Sequence, residues 1–190
     1  MGIILASGSP RRRELMEMLG VKDLRVVPAA GEEVSIQGEA PAQMVFRLSR
    51  AKAQEVAQGC APDDIIIAAD TIVWVDDRVF GKPKSREEAI LMLKTLSGRG
   101  HTVYTGVTVL RGDVCDTEVE RTEVFFRRLD DREIEAYVDS GEPMDKAGAY
   151  GAQGLASLFV QGLDGDFFNV MGLPLCRLGR MLKKQGVELI

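Results

Sequence analysis

Apolar positions along this chain switch between two periods, and the switches mark out strands and helices in alternation. A short apolar run at residues 3–6 predicts a buried strand, closed by the small-residue turn Ser7-Gly8-Ser9-Pro10. Pro10 suits the first position of a helix with Ser9 as its N-cap, and Leu15, Met16 and Leu19 carry that helix to a stop at Gly20. A strand is predicted near residues 24–27, followed by a polar loop over residues 31–41. Residues 42–58 repeat with helical spacing, which places Met44, Leu48, Ala51 and Val56 near one face. The run Ile65-Ile66-Ile67-Ala68-Ala69 is an unbroken apolar strand of the kind buried on both faces, with Asp70 expected at its end.

Farther along, residues 87–96 predict a helix, and residues 103–110 and 117–126 predict strands joined near Arg111-Gly112-Asp113. Helices follow at residues 131–139 and 173–184. Strands interleaved with helices predict an α/β fold. The hairpin-like middle makes its sheet mixed rather than parallel. Neither an internal repeat nor a Pro/Gly-rich linker divides the chain, so one domain over residues 1–190 is expected.

Composition narrows the function classes. With 45% hydrophobic and 28% charged residues the chain can bury a sizeable core, which argues against disorder. A net charge of -5 disfavours a nucleic-acid binder held by bulk charge, so an anionic ligand would need a local basic cluster. Cys60, Cys115 and Cys176 are widely spaced, odd in number and without a C-x-x-C, which suggests neither a disulfide framework nor a zinc ribbon. A reducing compartment fits best. No basic region precedes the first apolar run, and no run nears the ~20 residues that cross a bilayer. The expected location is the cytoplasm, with no membrane partner.

Local basic clusters exist. The turn Ser7-Gly8-Ser9-Pro10-Arg11-Arg12-Arg13 puts hydroxyls and backbone N–H groups at a helix N-terminus, which favours anions. Three arginines in that first turn oppose the helix dipole unless a phosphate neutralises them, although a solvated basic turn is the alternative. The turn is not a G-x-x-x-x-G-K-[ST] loop, so a P-loop enzyme is disfavoured. Asp70 after a buried strand stands where α/β sheets place ligands, and a carboxylate there can hold a hard cation or take a proton from water. A plain turn residue reads the same way. Glu32 and Glu33 offer further carboxylates in an otherwise featureless loop. Lys52 on the amphipathic helix and Lys82 in the Gly81-Lys82-Pro83 turn supply compact positive charges suited to phosphate, or are surface lysines. Residues 137–154 are too rich in glycine and mixed polarity for a regular element, which suggests a binding loop where Gln153 could meet a base edge. His101 is the sole histidine, and nothing near it in sequence makes a Ser-His-Asp or Cys-His hydrolase.

Taken together, six blocks resemble the Maf family of nucleoside triphosphate pyrophosphatases and occur in that family's order. They are Leu5-Ala6-Ser7-Gly8-Ser9-Pro10-Arg11-Arg12, Ala69-Asp70-Thr71, Gly81-Lys82-Pro83, and His101-Thr102-Val103-Tyr104-Thr105-Gly106-Val107. The last two are Gly141-Glu142-Pro143 through Gln153-Gly154, and Asn169-Val170-Met171-Gly172-Leu173-Pro174-Leu175.

The resemblance implies a two-lobed, ITPase-like α/β fold with an elongated mixed sheet and a cleft between lobes. It implies hydrolysis of dTTP or UTP to the nucleoside monophosphate and diphosphate with a divalent cation, Mg2+ or Mn2+. By the same resemblance Asp70 is the general base and a metal ligand, Glu33 a second ligand, and Ser7, Arg12, Lys52 and Lys82 bind phosphate. Arg11, Thr71 and Gln153 match the dTTP/UTP branch rather than the 7-methyl-GTP branch. The family's usual Asp-Glu pair in the acidic loop is Glu32-Glu33 here. A homodimer is compatible with the family. Two competing readings are a nucleotide-binding regulator of septum formation with little catalysis, and a 7-methyl-GTP- or purine-selective pyrophosphatase. The complete set of Arg, Lys and acid positions argues against the first.

Overall fold

Apolar runs interrupted by tight turns yield strands of 2 to 13 residues, and the periodic segments between them fold as helices. A computed structural model describes every residue except Met1, Lys22, Glu32, Glu33 and Ser35. In chain order the described elements are β1 (Ile3–Leu5), α1 (Pro10–Met18), β2 (Arg25–Val26), α2 (Pro41–Ala57), β3 (Ile65–Val75), β4 (Arg78–Phe80) and α3 (Arg86–Leu96). After them come β5 (Gly100–Arg111), β6 (Val114–Phe126), α4 (Asp131–Asp139), β7 (Val160–Asp164), α5 (Phe167–Met171) and α6 (Leu175–Lys184). The described strands form a seven-stranded sheet in the order β2-β1-β3-β5-β6-β7, with β4 paired to β3. β1 runs parallel to β2 and β3, whereas β3–β4 and β6–β7 are antiparallel. The sheet is therefore mixed, as expected.

The chain divides into two compact units, Met1–Asp70 with Thr105–Glu120 and Gly172–Ile190, and Thr71–Tyr104 with Arg121–Met171. In the first, Ile4 of β1, Ala6 just past it and Ile66 and Ala68 of β3 pack with Ala53 and Val56 of α2 and with Leu110. The inner face of α2 is Val45, Leu48, Ser49, Ala53 and Val56, not the predicted Met44, Leu48, Ala51 and Val56. Ala51 is exposed. The apolar count alone passed over Ser49, which is fully buried because its hydroxyl has partners. Ser49 Oγ meets Thr108 Oγ1 at 3.0 Å, and Thr108 Oγ1 meets Thr117 Oγ1 at 3.0 Å, a chain of hydroxyls from α2 across β5 to β6. Beside it, Gly106 lets β5 and α2 touch: a Cβ there would lie 2.1 Å from the Val45 carbonyl oxygen.

The second unit has its own core. Val73, Leu93, Leu96, Val103, Val124, Phe126, Ile134 and Tyr150 are among its buried members. Asp76 and Asp77, both with positive φ (50° and 56°), make the two-residue turn between β3 and β4. That backbone matches the twist of an antiparallel pair, and Asp tolerates it. Helix starts are capped by side chains: Ser85 accepts from Glu88 N, while Asp130 and Glu133 form a capping box. β4, β7 and α5 went unpredicted because three- and five-residue elements give too few repeats for a period to show. Among the described residues no helix is long and apolar enough to cross a membrane.

Candidate active site

Asp70 does not end its strand as predicted; β3 continues to Val75. The acid merely interrupts the apolar run, which resumes at Ile72 and Val73. What ends is the neighbour. β1 pairs Ile3, Ile4 and Leu5 with Ile65, Ile66 and Ile67, and its last contact is Ala6 N–H to Ile67 O at 2.8 Å. Past that point β3 runs on while β1 turns away at Ser7. A strand alternates sides, so Asp70 shares the face of Ile66 and Ala68, the face that α2 covers. There Lys52 Nζ donates to Asp70 Oδ1 at 2.6 Å, with 19% and 7% of the two side chains exposed. A carboxylate so deeply buried requires a partner of this kind.

A second cation stands nearby that the sequence did not single out. Arg47 donates to both Glu39 oxygens, at 2.7 and 2.6 Å, and to Val34 O at 2.9 Å. Its pKa is raised first by the Glu39 hydrogen bond, with a smaller contribution from the charge of Asp70. The same hydrogen bond holds the Glu39 carboxyl below its usual range. The usable signal was Glu39 standing eight residues before Arg47, at the junction of loop and helix.

At the end of β1, Ser7 is buried and its Oγ accepts from Ser9 N at 3.2 Å and from Arg12 Nη1 at 3.2 Å. Arg12 Nε donates to Gly172 O at 2.8 Å. Ser9 occupies the N-cap position before Pro10 as expected, but among the described residues its side chain makes no capping hydrogen bond. The hydroxyl that meets backbone at this turn is that of Ser7, which accepts the Ser9 N–H. The three arginines divide by role. Arg12 turns onto the loop, Arg13 forms an exposed i,i+4 pair with Glu17 at 2.8 Å, and Arg11 is half-buried. The first unit therefore joins Ser7 to Arg12 just past the end of β1, and Lys52 to Asp70 within β3. Glu33 lies outside the described residues.

The second unit carries Thr71, Lys82 and Gln153. Thr71 is half-buried, and Lys82 is exposed beside the buried Pro83. The Lys82 turn is tied down by Gly148 N–H donating to Gly81 O at 3.0 Å. Residues 137–154 are more ordered than the predicted loop: α4 runs to Asp139, and 3-10 turns follow at Glu142–Asp145 and Ala147–Ala149. Gln153 is exposed on the stretch that leads to a further 3-10 turn at Leu155–Leu158. His101 is buried, its Nε2 2.8 Å from the Tyr150 hydroxyl and its ring edge-on to Phe126. A buried aromatic neighbourhood accounts for it, and burial pushes its pKa down to about 4. Among the described residues no group of three or more His, Cys, Asp or Glu side chains is placed to hold a metal ion.

Residues 2–185 match the family model described as Maf, Maf-like protein. A protein of Pelotomaculum thermopropionicum named dTTP/UTP pyrophosphatase is 50% identical over 99% of this chain and 98% of its own. One of Bacillus anthracis with the same name is 47% identical over 98% of this chain and 96% of its own. A solved Mycobacterium abscessus structure, titled Nucleoside-triphosphatase / dITP/XTP pyrophosphatase, aligns with TM-score 0.46 and 18% identity, covering 97% of each chain. With the family model matched over residues 2–185 and relatives of this identity aligned over nearly the whole chain, the chain belongs to the Maf family.

Proposed function

We propose that this chain hydrolyses dTTP and UTP between the α- and β-phosphates, giving the nucleoside monophosphate and diphosphate. The observation that carries the proposal is the Asp70 carboxylate, 5% exposed, oriented by Lys52 at 2.6 Å beside the turn where Ser7 fixes Arg12. The names of relatives at 50% and 47% identity supply the substrate class.

In this reading Asp70 orients a water on the α-phosphorus and accepts its proton as the new P–O bond forms. The bond from the α-phosphorus to the bridging oxygen breaks, and the electron pair leaves with the diphosphate. Arg12 and Lys52 face the charge that builds on the phosphate oxygens, with the Ser7 hydroxyl holding the arginine. By the family resemblance Lys82 binds phosphate, and Arg11, Thr71 and Gln153 select the nucleotide.

Of the described residues, Asp70 suits a divalent cation. Asp70 offers a hard carboxylate oxygen, Glu33 is the second candidate ligand, and a Mg2+-type ion takes one or two carboxylates and completes its shell with phosphate and water. Such an ion, Mg2+ or Mn2+, would supply charge neutralisation at the phosphates.

The test is a panel of dTTP, UTP, CTP, GTP, ITP and 7-methyl-GTP assayed for diphosphate release, with and without chelator. Pyrimidine triphosphates turned over fastest, and only with metal, is the expected result. Release of orthophosphate instead, or a preference for 7-methyl-GTP, overturns the reading.

A further inference from the structure

Gln153 stands on a stretch with no helix or strand hydrogen bonds of its own, so side chains must dictate its course. One carboxylate does most of this. Glu142 Oε1 accepts from the Tyr137 hydroxyl at 3.1 Å, and Glu142 Oε2 accepts from the Leu155 N–H at 3.0 Å. The Tyr137 oxygen in turn accepts the Gly151 N–H at 3.4 Å. Gly154, at φ 111°, brings its backbone so close that a Cβ would lie 2.8 and 2.9 Å from the two Glu142 oxygens. Residues 151 and 155, on either side of Gln153, are thus both tied to the Tyr137–Glu142 pair. Just upstream, Tyr150 is anchored through its hydroxyl to His101 at 2.8 Å.

We infer that Glu142 is a positioning residue for nucleotide selection: its carboxylate bridges Tyr137 and the Leu155 amide and so holds Gln153 in the orientation that reads the base. The inference rests on the proposed pyrimidine triphosphate activity and on Gln153 meeting the base. It adds a residue that acts without touching substrate. Without the bridge, residues 151–155 regain backbone freedom, and binding must then order them each time. Such a loss falls on recognition and spares the chemistry at Asp70.

The experiment compares Glu142→Ala and Glu142→Gln, alone and combined with Gln153→Ala, measuring KM and kcat for UTP and the preference for UTP over GTP. Losing hydrogen bonds to a charged group predicts that Glu142→Ala raises KM about 10-fold while kcat changes less than about 3-fold, with a matching fall in preference. Glu142→Gln is expected to stay close to wild type. Its amide oxygen can accept from Leu155 and its NH2 can donate to the Tyr137 oxygen. In the Gln153→Ala background, Glu142→Ala should add less than about 2-fold. An equal effect in both backgrounds, or a glutamine variant as impaired as alanine, overturns the inference. So does wild-type KM in Glu142→Ala. Should that variant melt early, Tyr137→Phe removes one of the two bonds more gently, and a wild-type KM there also overturns it. Wild-type protein that releases no diphosphate from UTP or dTTP defeats the activity reading and this inference with it, whereas lost preference in Gln153→Ala alone defeats only the role of Glu142.

Discussion

Lys52 of α2 and Asp70 of β3 meet at 2.6 Å, Nζ to Oδ1, with little of either side chain exposed. The contact sets helix against sheet and leaves the acid oriented at the point where β1 has turned away. Asp70→Asn keeps size and shape but removes the proton acceptor. Folding is expected to survive, shown by an unchanged circular dichroism spectrum, while turnover falls by at least about 10²–10³. Near-normal diphosphate release would remove Asp70 from the mechanism.

The same pair predicts an asymmetry in stability. Lys52→Met strands a buried carboxylate, which costs on the order of 3 kcal/mol. Combining it with Asp70→Asn removes the stranded charge and should restore part of that loss. Urea midpoints of the four proteins measure the coupling, and strictly additive effects would show that the two groups do not sense one another.

Gly106→Ala would place a carbon 2.1 Å from the Val45 carbonyl oxygen and 2.9 Å from Ser49 Oγ. The obstacle is helix backbone, which cannot swing aside as a side chain does. The expected destabilisation is about 3 kcal/mol or more, at the upper end for overpacking. Because α2 also carries Lys52, activity should fall even in the fraction that folds. A variant with wild-type melting temperature would contradict the close approach.

His101 predicts a pH dependence. Burial, aided by the charge of Arg99, lowers its pKa from 6.5 to about 4. Between those values the unfolded chain binds a proton that the native protein refuses, so stability falls as pH drops from 6.5 towards 4 and is unaffected above that window. The full effect is about 3 kcal/mol. His101→Gln keeps a hydrogen-bond partner for Tyr150 but does not titrate. Urea unfolding across this range should therefore show a shallower slope than wild type, and an identical slope would mean that His101 is not the group responsible.

Much of this was legible in the residues, for physical reasons that differ by element. The long strands and α2 announced themselves through period, and Asp131–Asp139 was bounded by its own capping residues. Ser7, Arg12, Lys52 and Asp70 could be picked out by chemistry and family resemblance. Their pairing could not, because Lys52 meets Asp70 only through the docking of a helix on a sheet. Arg47 escaped notice for a related reason: it is committed to Glu39, and the charge of Asp70 reaches it only through space. The continuation of β3 past Asp70 was hidden because a buried acid looks, in a string of letters, like a terminus. Ser49 was passed over because a hydroxyl reads as surface until its partners are known.

Those hydroxyls carry a consequence for how the protein can change. The Ser49–Thr108 bond forms only at one setting of α2 on the sheet. Sliding the helix by a turn would break that bond and carry Lys52 away from Asp70, so changes in its sequence are best borne by the outward residues. The helix can be repainted on its outer side over many generations while the ammonium of Lys52 stays at the same address.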